Sequence, residues 1–228
     1  TDYLAALDRY GGCLVMDDTQ GLGILGHAPT PCMPYGHGGG GTLRWHEARD
    51  PRVWVVSSLA KAFGVPLAVL AASQHRIQTF ARHSRTRVHC SPPCAATLQA
   101  AAHALTINRQ RGAALRQRLL TRVQRFRARL AERGWSSDGG LFPVQTLTGE
   151  SSHDSVALHH ALSRCGIRTV LQAARNGGVP RLSFILTARH RDADIDAAVD
   201  ALADAAQHLQ QPGQHSFRET THASSIHF

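Results

Sequence analysis

The sequence predicts an α/β protein with a smaller α+β lobe towards its C-terminal side. Short unbroken apolar runs at Cys13-Leu14-Val15-Met16 and Val53-Trp54-Val55-Val56 have the length and composition of strands buried on both faces. From Pro93 to about Arg133 apolar residues recur at helical spacing instead, and after Gly134 strand-like and helix-like segments alternate. With 228 residues, 43% of them hydrophobic, the chain can bury a sizeable core.

In chain order, Thr1 to Tyr10 has helical spacing, with Leu4, Ala5 and Leu7 on one side, and Gly11-Gly12 ends it. The first strand stops at two carboxylates, Asp17 and Asp18, the kind of strand end where α/β proteins place chemistry. The Pro- and Gly-rich segment His27 to Gly41 reads as a surface loop. The second strand leads into Ser57-Ser58-Leu59-Ala60-Lys61, and Leu67 to Ala72 is a third; all three strands are expected to be interior. The long helix places Leu98, Ala102, Leu105, Leu115, Leu119, Val123, Phe126 and Leu130 on its apolar side, with a break expected near Gly112. Strands follow at Leu141–Leu147, Ile167–Leu171 and Arg181–Leu186, with helices at Ser155–Cys165 and Asp192–Leu209. The tail from 210 to 228 is polar and aperiodic, hence expected to be disordered.

Composition narrows the function classes. No stretch approaches the roughly 18 apolar residues of a membrane span, and the start lacks a signal-peptide pattern, so no membrane role and a cytoplasmic location are expected. Five scattered cysteines read as reduced, mostly structural thiols. The net charge of +9 comes from dispersed arginines, the densest group running from Arg109 to Arg133 along the long helix as a solvated face; no nucleic-acid partner is expected. The fifteen histidines, His159-His160 included, show no ligand spacing completed by a carboxylate or cysteine, so no metal is expected. Gly21-Leu22-Gly23-Ile24-Leu25-Gly26 has the spacing of a dinucleotide fingerprint, but it runs into a Pro- and Gly-rich loop rather than opening a helix.

Of the 25 lysine and arginine residues, only Lys61 is a lysine. Arginine does not lose its proton in a protein, whereas a lysine amine can act as a nucleophile or form an imine. A bias towards arginine codons accounts for the skew but not for the place of the one lysine. Asp17 at one strand end and Lys61 after the next make the pair that a pyridoxal-phosphate site needs: an amine for the aldehyde and a carboxylate for the protonated ring nitrogen. Ser57 and Ser58 could bind the phosphate. By spacing alone, a turn aspartate and a solvated lysine remain an equal alternative.

The segment Leu14-Val15-Met16-Asp17-Asp18-Thr19-Gln20-Gly21-Leu22-Gly23 is similar to the Asp-Glu-Ala-His-Gly-x-Gly segment of the α-oxoamine synthases, and Ser58-Leu59-Ala60-Lys61-Ala62-Phe63-Gly64 resembles their Schiff-base lysine segment. Ser91-Pro92-Pro93 resembles the family's Ser-x-Pro turn before a long helix, and Arg181 to His190 its late strand followed by Ala-x-His. The likeness covers roughly residues 1 to 208. It implies the aspartate aminotransferase type of fold (fold type I of the pyridoxal-phosphate transferases). Residues 1–110 would be the later part of the cofactor-binding large domain, and 111–209 a small α+β domain with its connecting helix.

The resemblance implies condensation of an amino acid with an acyl-CoA, with loss of carbon dioxide, and a homodimer in which residues near Ser91 face the neighbour's phosphate. By position, Lys61 would carry pyridoxal 5'-phosphate and shuttle the α-proton, and Asp17 would pair with the ring nitrogen. Ser58 would bind the phosphate and Thr19 would pack against the ring. Two departures stand out. Gln20 replaces a histidine, and an amide donates a hydrogen bond without exchanging a proton. Ser183 replaces the second arginine of Arg-x-Arg and cannot grip a carboxylate bidentately; Arg175 and Arg181 are the nearest substitutes, and Ser183→Arg is expected to tighten amino-acid binding. The likeness begins inside the family's large domain, so an incomplete chain, inactive alone, is expected. The alternatives are an aminotransferase on the same fold and a degenerate, non-catalytic copy.

Overall fold

The computed structural model describes residues 2–148, 154–173, 178–210 and 226–227. Its contacts group the chain into two units, Thr1–Arg116 and Gln117–Phe228. The expected boundary after residue 110 lies in the same helix as that division.

The first unit contains α1 (Asp2–Tyr10), β1 (Leu14–Asp17), the single turn α2 (Thr42–Trp45), β2 (Val53–Ser58), β3 (Ala68–Ala71), α3 (Gln74–His83) and α4 (Ala95–Glu132), which continues past the unit boundary. β1 and β2 are parallel, with Leu14 opposite Val53 and Asp17 opposite Val56. β3 returns antiparallel, with Ser58 opposite Ala68. Arg52 ties the start of β2 to α1: its guanidinium donates to Asp50 and Asp8 and to the Leu7 carbonyl. Through the Arg52 side chain, the Asp50 carboxyl is held down at about 2.

The strands are less enclosed than their composition predicts. Among the described residues β1 and β3 are the edges of a three-stranded sheet, and Val15 is 64% exposed, with Val56 and Val69 also exposed. A non-alternating apolar strand needs cover on both faces, and the described residues supply it only in part. The unit's core lies instead beside the β2–β3 turn, where Leu59, Val65 and Ala101 are buried and Leu22, Phe63, Leu67 and Ala104 pack around them.

The 27–41 segment, expected as a surface loop, is a folded hairpin-like excursion. His27 and His37 exchange backbone hydrogen bonds, Gly23 N–H donates to Gly39 O, and Trp45 Nε1 donates to Pro34 O. Tyr35 is buried inside it, which raises its phenol above the ordinary value. Helix α4 runs unbroken through Gly112, and its apolar side differs from expectation. Leu98, Leu105 and Leu115 are exposed, whereas Ala101, Leu119, Leu120, Val123, Phe126 and Leu130 are buried.

The second unit adds β4 (Ser136–Asp138), β5 (Val144–Thr148), α5 (Ser155–Arg164), β6 (Ile167–Arg168), β7 (Val170–Gln172), β8 (Arg181–Ile185), α6 (Asp192–Gln210) and β9 (Ile226–His227). Strands β4-β5-β8-β7 form an antiparallel sheet. The expected strand at 167–171 is split between β6, which pairs with β9, and β7 in the main sheet. Most of the tail expected to be disordered lies outside the described residues, but Ile226–His227 forms β9. Phe126, Leu130, Leu158, Leu162, Leu182, Phe184, Ile195 and Leu202 are almost wholly buried, each worth about 1.5–3 kcal/mol relative to exposure. The Phe126 and Phe184 rings lie 5.0 Å apart.

Four arginines of the stretch expected as a solvated face are paired with acids instead. Arg122 bonds Asp192, Arg125 bonds Asp196, Arg129 reaches Asp196 and Asp200, and Arg133 bonds Asp200. Because the pairs ascend along both elements, α4 and α6 run parallel, with acids spaced one helical turn apart. All five cysteines are exposed and free rather than structural. No helix among the described residues is long and apolar enough to cross a membrane.

Candidate active site

The parallel pairing of β1 and β2 brings their C-terminal ends together, and with them the residues singled out in the sequence. The ladder continues one step past Asp17, as Asp18 N–H donates to Val56 O at 2.8 Å. The chain then turns, and Thr19 N–H donates to Asp17 Oδ1 at 2.9 Å. Thr19 Oγ1 in turn accepts the Ser58 N–H at 3.0 Å. A single threonine therefore ties the carboxylate that ends β1 to the last residue of β2. Its hydroxyl and backbone N–H hold the Asp17 carboxyl below its ordinary range, so the exposed group is ionised at neutral pH.

Lys61 projects from the turn that follows. Ser58 Oγ accepts the Ala60 N–H at 3.2 Å, which leaves its own proton for another acceptor. Leu59 O accepts from both Phe63 N–H and Val65 N–H, and Leu59 N–H donates to Leu67 O. Leu59 and Val65 are buried while Lys61, between them, is exposed. The turn is thus anchored by apolar side chains on either side of an outward-facing amine.

Asp18, the neighbour of Asp17, has a different task. Its buried carboxylate accepts from Thr42 N–H at 2.8 Å and from Thr42 Oγ1 at 2.5 Å. It closes the excursion between residues 18 and 42 and fixes the turn that carries Thr19 and Gln20. The sequence showed only a pair of acids; the alternation of the strand puts one outward and the next inward.

The remaining predicted site residues lie outside this network. Gln20 is exposed in the turn after Thr19, and Ser91 is exposed in the segment leading into α4; the bonds that join 17–19 to 58–60 include neither. Arg181 begins β8 in the second unit and pairs with Asp138 at 2.5 Å. Arg175 lies outside the described residues. Ser183 is fully buried between Thr146 on β5 and Val170 on β7, its hydroxyl 2.8 Å from that of Thr146. An arginine there would bury an unpaired charge, which corrects the expectation that Ser183→Arg would tighten substrate binding. A depression of about 370 Å³ lined by Pro51, Arg52, Trp54, Arg76 and Thr79 lies at the start of β2, the end opposite to Lys61. Among the described residues no cluster of three or more histidine, cysteine, aspartate or glutamate residues could hold a metal.

The network supplies an exposed amine, an ionised carboxylate and a hydroxyl with a proton to donate, all at adjacent strand ends. This set suits a ligand with an aldehyde, a basic ring nitrogen and a phosphate.

Comparison with known proteins agrees with this architecture. The chain is 30% identical over 213 residues to 8-amino-7-oxononanoate synthase of Nitrosomonas eutropha, covering 90% of this chain and 51% of that protein. It is 32% identical over 223 residues to 8-amino-7-oxononanoate synthase of Bordetella petrii, covering 94% and 52%. The chain thus spans about half the length of the curated relatives it matches. Among solved structures, serine palmitoyltransferase of Sphingomonas wittichii superposes with a TM-score of 0.76 at 16% identity, over 91% of this chain and 50% of that one. The 8-amino-7-oxononanoate synthase of Francisella tularensis superposes with a TM-score of 0.70 at 17% identity, over 91% and 59%. The fold is therefore the α/β transferase fold expected from the sequence. With residues 3–202 matching its family pattern, the chain belongs to the aminotransferase class I and II family.

Proposed function

We propose that this chain carries part of a pyridoxal-phosphate-dependent α-oxoamine synthase, which joins an amino acid to an acyl-CoA thioester with release of carbon dioxide and free CoA. The observation that supports it best is the Asp17–Thr19–Ser58 linkage across adjacent parallel strand ends, immediately before the turn that presents Lys61. Pyridoxal phosphate, when bound, supplies an aldehyde and a protonated ring that draws electron density from the carbon beside the substrate nitrogen. Lys61 Nζ would engage the aldehyde and would take and return the proton at that carbon. Asp17, kept ionised by Thr19, would hold the ring nitrogen protonated. The Ser58 hydroxyl would donate to the phosphate, and Gln20 would donate a hydrogen bond at the ring. Arg181 and Arg175 are the candidate partners of the substrate carboxylate. The reading includes a homodimer, with Ser91 turned to the neighbour's phosphate, and a cytoplasmic location.

Borohydride reduction of the pyridoxal-phosphate-treated chain, followed by peptide mapping, tests the assignment. We expect the label on Lys61, and a label confined to other amines removes Lys61 from the site. Release of free thiol from acyl-CoA in the presence of an amino acid tests the reaction. A second reading, a copy that keeps the fold without the reaction, is favoured by one feature: buried Ser183 stands where the family carries an arginine. Pyridoxal-phosphate binding without thiol release from any pairing of amino acid and acyl-CoA, in a mixture that also holds a polypeptide supplying the rest of a relative's length, would establish it.

A further inference from the structure

The glycine run at 21–26 opens no helix, yet its spacing has a physical cause. Gly23 adopts a φ of +88°. A Cβ at that position would lie 2.5 Å from the Ala62 Cβ and 3.3 Å from the Phe63 ring. The backbone of residue 23 is therefore the surface on which the residues after Lys61 rest. Any side chain there would displace them.

Gly23 N–H is bonded to Gly39 O within the excursion, and its carbonyl is held from α4. Arg116 Nη1 donates to Gly23 O at 3.2 Å and to Asn108 Oδ1 at 2.9 Å, and Asn108 Nδ2 donates to Gly38 O at 3.0 Å. The Arg116 side chain leans back along the helix towards Asn108, as helical side chains do, and passes over residue 112. A Cβ at 112 would lie 2.4 Å from Asn108 Oδ1 and 2.9 Å from Arg116 Nη1. Gly112, a poor residue for a helix interior, is thus required by the path of this arginine. Arg116 is only 8% exposed and its Nε is buried without a hydrogen-bond partner among the described residues. Burial of a guanidinium on these terms is costly, and the contacts that offset it all lead to the 21–41 excursion.

We infer that Arg116 is a positioning residue for Lys61: it holds the Gly23 carbonyl, Gly23 seats Ala62 and Phe63, and this seat fixes the turn from which the amine projects. The consequence for cofactor attachment rests on the proposed role of Lys61, whereas the ordering of the turn does not.

The test uses the full 228-residue chain carrying Arg116→Lys, which keeps the charge and loses the fork, with Gly23→Ala acting on the same seat from the other side. Leu162→Ala, in the core of the second unit, is the control for general destabilisation. Hydrogen exchange in segment 59–65 is one readout. The yield of reduced pyridoxyl label at Lys61, at a fixed limiting concentration of pyridoxal phosphate, is the other. Both Arg116→Lys and Gly23→Ala are expected to speed exchange at the Phe63 and Val65 amides about tenfold and to lower the label yield, while Leu162→Ala changes neither. Exchange in 59–65 that stays at the wild-type rate, or rises no more than in Leu162→Ala, overturns the inference. Should Arg116→Lys fail to fold, Asn108→Ala is expected to raise exchange in the same segment, and an unchanged rate overturns it equally. If the wild-type chain takes no label at Lys61, the cofactor reading falls and exchange alone decides the positioning role.

Discussion

The two units of this chain spend their polar residues differently. In the first, the polar side chains at the strand ends organise turns: Thr19 joins Asp17 to Ser58, Asp18 closes an excursion on Thr42, and Arg116 holds a carbonyl. Apolar side chains such as Val15 and Val56 meanwhile stay exposed on the sheet. In the second, a large apolar core that includes Phe126, Leu162, Phe184 and Leu202 is almost wholly buried, although Val179 and Leu209 stay exposed, and charges form pairs between α4 and α6. The second unit is built for its own stability. The first arranges outward-facing chemical groups on a framework with fewer buried apolar residues.

The largest expected effect that could break this contrast is at Ser183. Ser183→Arg places a charge in the fully buried position beside Thr146. We expect a loss of about 3 kcal/mol or more, read as a lower urea midpoint. A variant of undiminished stability would show that β8 has room for a guanidinium and that the second unit is looser than its burial implies.

The ion pairs give an intermediate effect. The Asp196 carboxyl is held below its ordinary value first by the Arg125 side chain, and that of Asp194 by Arg191. Since the folded chain binds these protons less readily than the unfolded one, their contribution is full above the ordinary carboxylate value of about 3.9. It is lost as pH falls through the lower folded value. Urea midpoints should drop between pH 5 and pH 2, with a shallower drop in Asp196→Asn. Each partly exposed pair contributes at most about 1 kcal/mol. Identical pH profiles for the two proteins would remove the pairs from the second unit's stability.

The smallest effect sharpens the contrast from the other side. Val15→Thr, at a position 64% exposed, should change stability by no more than about 0.5 kcal/mol. A loss near 2 kcal/mol would mean that this face of the sheet is covered in solution.

Much of this was legible in the sequence, for reasons that differ by region. Apolar runs located β1, β2 and the α4, α5 and α6 helices, because burial sets both run length and period. Edge positions were not legible: Leu14-Val15-Met16 has the composition of an interior strand, and only its partners decide how much of it is covered. Strand β4, Ser136-Ser137-Asp138, carries no apolar signal and is defined by its register with β5. At the site, Asp17, Ser58 and Lys61 stood out by residue type and resemblance. Asp18 and Arg116 did not, since the first looked like a second copy of its neighbour and the second like one arginine among many. The glycines around them held the clue, because a residue without a side chain marks where another group passes close by.

The ladder between α4 and α6 has a geometric consequence. Its acids recur every four residues and its bases every three or four, like the two scales of a vernier, so sliding one helix by a single turn would match nearly every charge with a new partner. Arg129 already displays this degeneracy by reaching both Asp196 and Asp200. The charges alone therefore set the direction of the two helices and their rough proximity, but not their offset. The offset must come from shapes that do not repeat, and the Phe126 ring, seated against Phe184 of β8, fixes α4 on the sheet in that way.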